Sequence, residues 1–264
     1  MSSNAEARLD ALDRVLEGQQ PSYGLAGELF DIVDALNSTP ALRRSLADQS
    51  APAAARQGLV MDIFGGKVSE GALAVLAEST NLRWGSGASL AGALEREGVR
   101  AALLAAEAEG DLDEAENQLF KVGRLVEANH DLRAALADQR MPVDGRQDLL
   151  SGLISDRVLA SVAGLARRAV LARERTFDLT LESYLKLAAE LRQRSIAVVE
   201  VAHPLTGDQE ERLRSVLSRQ IGRDLTLRVI VDPAVLGGVR VTIGDEVIEG
   251  TVAGRLNDAR RKLS

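Results

Sequence analysis

Leu9, Leu12 and Leu16 recur at steps of three and four, with Asp10, Asp13, Arg14 and Glu17 between them. That spacing lays one apolar stripe along a solvated helix. Gly18 stops it and Pro21-Ser22 restart the chain. Leu25, Leu29, Ile32, Val33 and Leu36 form the next stripe, broken at Asn37-Ser38-Thr39-Pro40, where Pro40 suits the first turn of a following helix. A helix is expected from about Ala88 to Glu109, with Gly92 and Gly98 inside it marking either a break or a close helix–helix approach. A last long helix spans about Asp178 to Arg194, with Leu181, Tyr184, Leu185, Ala188 and Leu191 on one side. At Ser195 the period changes. Ile196–Ala202 is β-branched, and Leu225–Val231 alternates as a half-buried strand. Between them, Thr206 and Gln209 have capping-box spacing for a helix that runs to about Ile221. Val239–Ile243 and Glu246–Ile248 flank Gly244-Asp245, a two-residue hairpin turn, and a closing helix is expected from Thr251.

The helical part repeats itself. The segment from Gly27, GELFDIVDALNSTPALRRSLADQSAPAAARQGLV, aligns without gaps on NQLFKVGRLVEANHDLRAALADQRMPVDGRQDLL from Asn117, ninety positions later. Leu29, Phe30, Leu42, Arg43 and Leu46 match Leu119, Phe120, Leu132, Arg133 and Leu136. Ala47-Asp48-Gln49 matches Ala137-Asp138-Gln139, and Pro52, Arg56, Gln57 and Leu59 match Pro142, Arg146, Gln147 and Leu149. Shared Pro and polar steps exceed what helix composition gives. They imply two copies of one helical unit, each needing neighbours to cover its apolar face. The chain is therefore read as mostly α within an α+β class. An extra helical module over 1–86 is a degenerate copy of a helical bundle over 87–194, and a small β-α-β-β-β-α domain follows over 195–264.

Composition narrows the function. The formal net charge is −7 and aromatics are 3%, so the surface repels phosphate backbones and has few rings for stacking bases. No nucleic-acid partner is expected. Arg167-Arg168 reads as a solvated helix face, and Arg260-Arg261-Lys262 suits a final helical turn. With no cysteine, disulfides, thiolate metal sites and Cys nucleophiles are excluded. No apolar run approaches the roughly 18 residues that span a bilayer, and the N-terminus has no signal-peptide pattern. Direct membrane insertion is not expected.

Candidate chemistry is scarce. His130 and His203 have no His or Cys at metal-ligand spacing and read as surface or capping residues. Gly65-Gly66-Lys67 fails as a phosphate loop, because Met61 stands where the first Gly belongs and Val68 where a Ser or Thr must hold magnesium. It reads as a helix C-cap. Gly237-Gly238 runs into a strand, not a helix, and is no dinucleotide fingerprint. No catalytic residue, cofactor or metal is expected. The residues alone leave open a helical adaptor protein and, more weakly, a nucleotide-dependent enzyme.

The C-terminal run Val231-Asp232-Pro233-Ala234-Val235-Leu236-Gly237-Gly238-Val239-Arg240-Val241 is followed by Gly244-Asp245, Gly250 and Gly254-Arg255-Leu256. It resembles the δ subunit of bacterial F-type ATP synthases, related to the mitochondrial oligomycin-sensitivity-conferring protein. The Asp-Pro, the Gly-Gly before a strand and the Gly-Asp hairpin carry the likeness, which covers about Ala88 to Leu263. The extra front module resembles long actinobacterial forms, some of which are fused to a membrane-anchored b-type segment. Here a separate b chain is expected. The resemblance implies a non-catalytic stator at the cytoplasmic face of the cell membrane. Its helical bundle would bind an α-subunit N-terminal helix on the α/β catalytic head, and its C-terminal domain the C-terminal ends of the b subunits. By this analogy the head-binding residues include Leu90, Leu94, Leu103 and Leu165. The b-binding residues include Val239, Val241, Val247, Val252 and Leu256.

Overall fold

The structure is a computed structural model. It describes residues 3–249 except 155, 172–175, 195, 222–224, 234, 236–237 and 244–245. The expected closing helix, with Val252, Gly254 and Leu256, lies outside the described residues, as do Gly237, Gly244, Asp245 and Gly250. The described residues form twelve helices and four strands, the mostly helical α+β class that the pattern indicates. Two compact units divide the chain, residues 1–188 and residues 189–264.

The first unit holds α1 (Ser3–Glu17), α2 (Tyr23–Ser38), α3 (Pro40–Ala47), α4 (Ala53–Phe64), α5 (Glu70–Asn81) and α6 (Gly87–Glu109). It continues with α7 (Leu112–Ala128), α8 (His130–Ala137), α9 (Val143–Ile154), α10 (Ala160–Val170) and most of α11 (Phe177–Arg194). The repeat extends beyond the aligned segments. α3 and α8, and α4 and α9, begin and end ninety positions apart, and the starts of α5 and α10 and of α6 and α11 keep that offset. Core positions follow: Leu29, Leu36, Leu46, Val60 and Phe64 are buried, and so are Leu119, Val126, Leu136, Leu150 and Ile154. Polar joints repeat too. Glu28 accepts the backbone N–H of Ser69 at 3.1 Å, and Gln118 accepts that of Leu159 at 2.6 Å. Each bond satisfies a donor at a helix start that the helix itself leaves unpaired.

α6 is the pivot of the unit. It packs on α1, α2, α3 and α5 and also on α7 and α10. Its residues 97–106 are buried all round, as expected of a central helix. It runs unbroken through both internal glycines. Gly92 faces open space, whereas a Cβ on Gly98 would lie 2.6 Å from a Phe30 ring carbon. Gly98 therefore serves close approach of α2, the second of the two expected roles.

The second unit holds β1 (Ile196–Val201), α12 (Gly207–Ile221), β2 (Thr226–Val231), β3 (Val239–Ile243) and β4 (Glu246–Glu249), in sheet order β2-β1-β3-β4. β1 and β2 are parallel, joined through α12, and β1–β3 and β3–β4 are antiparallel. The capping box forms: Thr206 N–H donates to Gln209 Oε1 at 2.9 Å, and Gln209 N–H to Thr206 Oγ1 at 3.4 Å. Ala197, Val199 and Val201 from β1 and Val241 and Ile243 from β3 build a core with Leu217 of α12. Period-two alternation sets this face.

Candidate attachment surfaces

Of the C-terminal turn residues, Asp232 N–H closes onto the Val201 carbonyl at 2.8 Å, and its own carbonyl accepts from Val235 at 3.0 Å. Pro233 lies in that turn. Gly238 enters β3 at φ 89°, a left-handed conformation that a side chain would resist. These residues are turn geometry that aims β3 back along β1. Val241 is 3% exposed and belongs to the core, Val239 is partly buried against it, and Val247 on β4 is 58% exposed. The two outer strands thus carry apolar side chains outward, Val247 on β4 and Ile230 and Val231 on β2. Among the described residues these two strands have no outer neighbour, and edges with such side chains are surfaces ready for a partner.

In the helical unit, Leu90, Leu94 and Leu103 are 0% exposed and Leu165 is 2% exposed. They hold α6 and α10 in the core, so any partner contact on these helices falls to their neighbours. Arg168 is one neighbour, and it is not on a solvated face as its sequence context suggested. It is buried beside Glu95, with Nη2 2.6 Å from one carboxylate oxygen and Nε 2.8 Å from the other. Nη1 donates to Asp34 of α2 at 2.8 Å, and the guanidinium lies over the Phe30 ring at 4.7 Å. Burial opposes the Arg168 charge, but the bonds to Glu95 and Asp34 raise its pKa overall. Burial and the Glu95 charge also push the Tyr184 hydroxyl of α11 upward. Arg167, by contrast, faces water.

A second buried ionic cluster ties α1 to α6. Arg96 pairs with Asp13 and with Glu97 at 2.5 Å each, and Arg100 pairs with Asp13 at 3.3 Å and with Glu17. Burial pushes Glu97 up to about 7, against the pull of Arg96 and with the Asp13 charge adding to the rise. Its folded-state value thus lies above the unfolded one. Its contribution is full below the ordinary carboxylate range and is lost as pH rises through about 7. From about pH 6 to about pH 8, the helical unit is expected to lose roughly 1 kcal/mol. The urea midpoint read through Trp84, the only tryptophan, measures this loss. Glu97→Gln should flatten the dependence. A wild-type midpoint that does not fall over this range contradicts the assignment.

Neither cluster was visible as a motif, because its members come from helices far apart in sequence. Gly98 was the one local signal. Among the described residues there is no cluster of metal-ligating side chains, and no helix is long and apolar enough to cross a membrane. Gly65-Gly66-Lys67 closes the end of α4, with the Gly65 N–H on the Met61 carbonyl at 2.9 Å.

The model of the ATP synthase delta (OSCP) subunit family matches residues 96–263. The chain belongs to that family. It is a peripheral-stalk subunit of an F-type ATP synthase. It is 40% identical over 252 residues to "ATP synthase subunit delta" of Cutibacterium acnes, covering 96% of each chain. It is 40% identical over 266 residues to the delta subunit of a Nocardioides species, covering 99% of this chain and 96% of the relative. The Streptomyces coelicolor delta subunit is 40% identical over 261 residues, covering 98% and 94%. The family model begins inside α6, yet these actinobacterial relatives match almost end to end. The part of the chain before α6 is therefore shared with them, and the chain is a long form of the family.

Proposed function

We propose that the chain is a non-catalytic link with two attachment points. The helical unit docks on the α/β catalytic head through an α-subunit N-terminal helix, and the C-terminal unit takes the C-terminal ends of the b subunits. The extra copy, α1–α5, packs along α6 of the delta-type bundle. The chain is held peripherally at the cytoplasmic face of the membrane through its complex and resists rotor torque. The observation that carries this reading is the division into two compact units, each with its own core, in a chain of this family. Exposed Val247, Ile230 and Val231 suit a helix or strand end laid along the small sheet. Two moderate contacts on one chain gain about 10²–10⁴ in avidity over either alone, which suits a link under load.

The test is capture by the tagged full chain from a mixture of purified head and b subunits. Both should be retained together, with the head held on immobilised b only when the chain is present. Retention of neither, or of the head on b without the chain, rules the reading out.

A further inference from the structure

Three acids and two arginines meet between α1 and α6. Asp13 and Glu17 come from α1, and Arg96, Glu97 and Arg100 from α6. Glu97 and Arg100 are 0% exposed and Asp13 is 3% exposed. Arg96 bonds one Glu97 oxygen, and the other is buried without a hydrogen-bond partner. Burial acts on Glu97 first, then the charges of Arg96, Asp13 and Arg100. On the other helices packed against α6, Glu28 bonds Ser69, Asp34 bonds Arg168, Arg43 bonds Asn37 and Glu78 bonds Asn81. Glu116 of α7 is partly buried, and the remaining charged residues of α2, α3, α5, α7 and α10 are exposed. The repeat shows that the fold does not need acids at this joint. Ninety positions on, Leu103 stands for Asp13 and Leu187 for Glu97, and both leucines are buried. Apolar residues often replace a buried ionic cluster with no loss of stability. α1 is also lightly held. Among its described residues Leu12 and Leu16 are the buried apolar side chains, whereas α2 buries six.

We propose that this cluster is a pH-sensitive latch, which holds α1 on α6 while Glu97 carries a proton and releases it as the solution turns alkaline. The charge count gives the sign. With Glu97 neutral, Asp13 and Glu17 balance Arg96 and Arg100. With Glu97 ionised, a third carboxylate is closed in against two cations, and Asp13 repels it. Opening α1 returns that carboxylate to water, so ionisation favours the open helix and acidification tightens the latch. The release is local. It gives up Leu12 and Leu16 but leaves the six buried residues of α2 and the fourteen of α6 to their other neighbours. An element with few buried apolar contacts opens before the rest of its unit. The second copy, with leucines at both places, has no such response.

Hydrogen exchange of the full chain, followed by mass spectrometry and corrected for the intrinsic pH dependence of amide exchange, tests the latch. Amides of α1 should show a larger opening constant than those of α9. That constant should rise about tenfold from pH 6 to pH 8. Glu97→Gln should keep it near its pH 6 value throughout, and so should Glu97→Leu, which installs the residue of the second copy. Glu182→Gln, at an exposed carboxylate of α11, should keep the wild-type rise. Urea unfolding read through Trp84 at pH 6 shows that each variant folds. Three results overturn the proposal: a wild-type constant for α1 that stays flat over this range, one that merely equals that of α9, or a tenfold rise that persists in a folded Glu97 variant.

Discussion

Replacing Arg168 with methionine is expected to destabilise the helical unit by about 3 kcal/mol. The side chain is 8% exposed and holds three elements at once. It pairs with Glu95 on α6, with Asp34 on α2 and with the face of Phe30. Methionine keeps the volume but leaves the two carboxylates without their cation. Breaking a buried pair costs more than the pair contributes, because the remaining charge stays desolvated. Asp34 is 55% exposed and Glu95 29% exposed, so water compensates part of the loss. That holds the expected cost at the low end of the usual range. The measurement is urea unfolding followed by Trp84 fluorescence, which reports on residues 1–188. Adding Glu95→Leu in the same chain should recover part of the loss, since it removes the stranded charge. A change below about 0.5 kcal/mol would place Arg168 among ordinary surface residues.

Removing residues 195–264 should abolish capture of b subunits and leave capture of the catalytic head intact. Residues 1–188 form a compact unit with their own core, so the helical unit keeps its packing when the sheet is removed. The outward apolar residues of the edge strands go with the deleted part. Affinity for b should therefore fall to background, not decline gradually. Continued capture of b by the shortened chain would move that contact onto the helical unit.

The fold was largely readable from the chain because local signals and tertiary structure agree over most of it. The end of the long helix at Arg194, the start of β1 at Ile196, the Thr206–Gln209 capping box and the strand boundaries at Val239 and Ile243 all appear where the residues place them. The repeat was readable for the same reason, since core spacing and polar joints recur together. The surfaces were not. Leu90, Leu94, Leu103 and Leu165 stand out as apolar, but apolarity marks burial before it marks binding. Phe30 and Phe120 hold equivalent places in the repeat, yet Phe30 lies under Arg168 against Gly98, and Phe120 is 55% exposed. Ala188 stands where Gly98 would admit the ring. Arg167-Arg168 misled for a related reason. The acid that buries Arg168 from α2 lies 134 residues away, beyond any local pattern.

ATP-driven proton pumping by the reconstituted enzyme tests the stator account most directly. Complexes assembled without this chain should hydrolyse ATP and pump no protons, because the head turns with the rotor. Adding the full chain back should restore pumping. Full pumping in its absence would contradict a link that holds the head against the rotor.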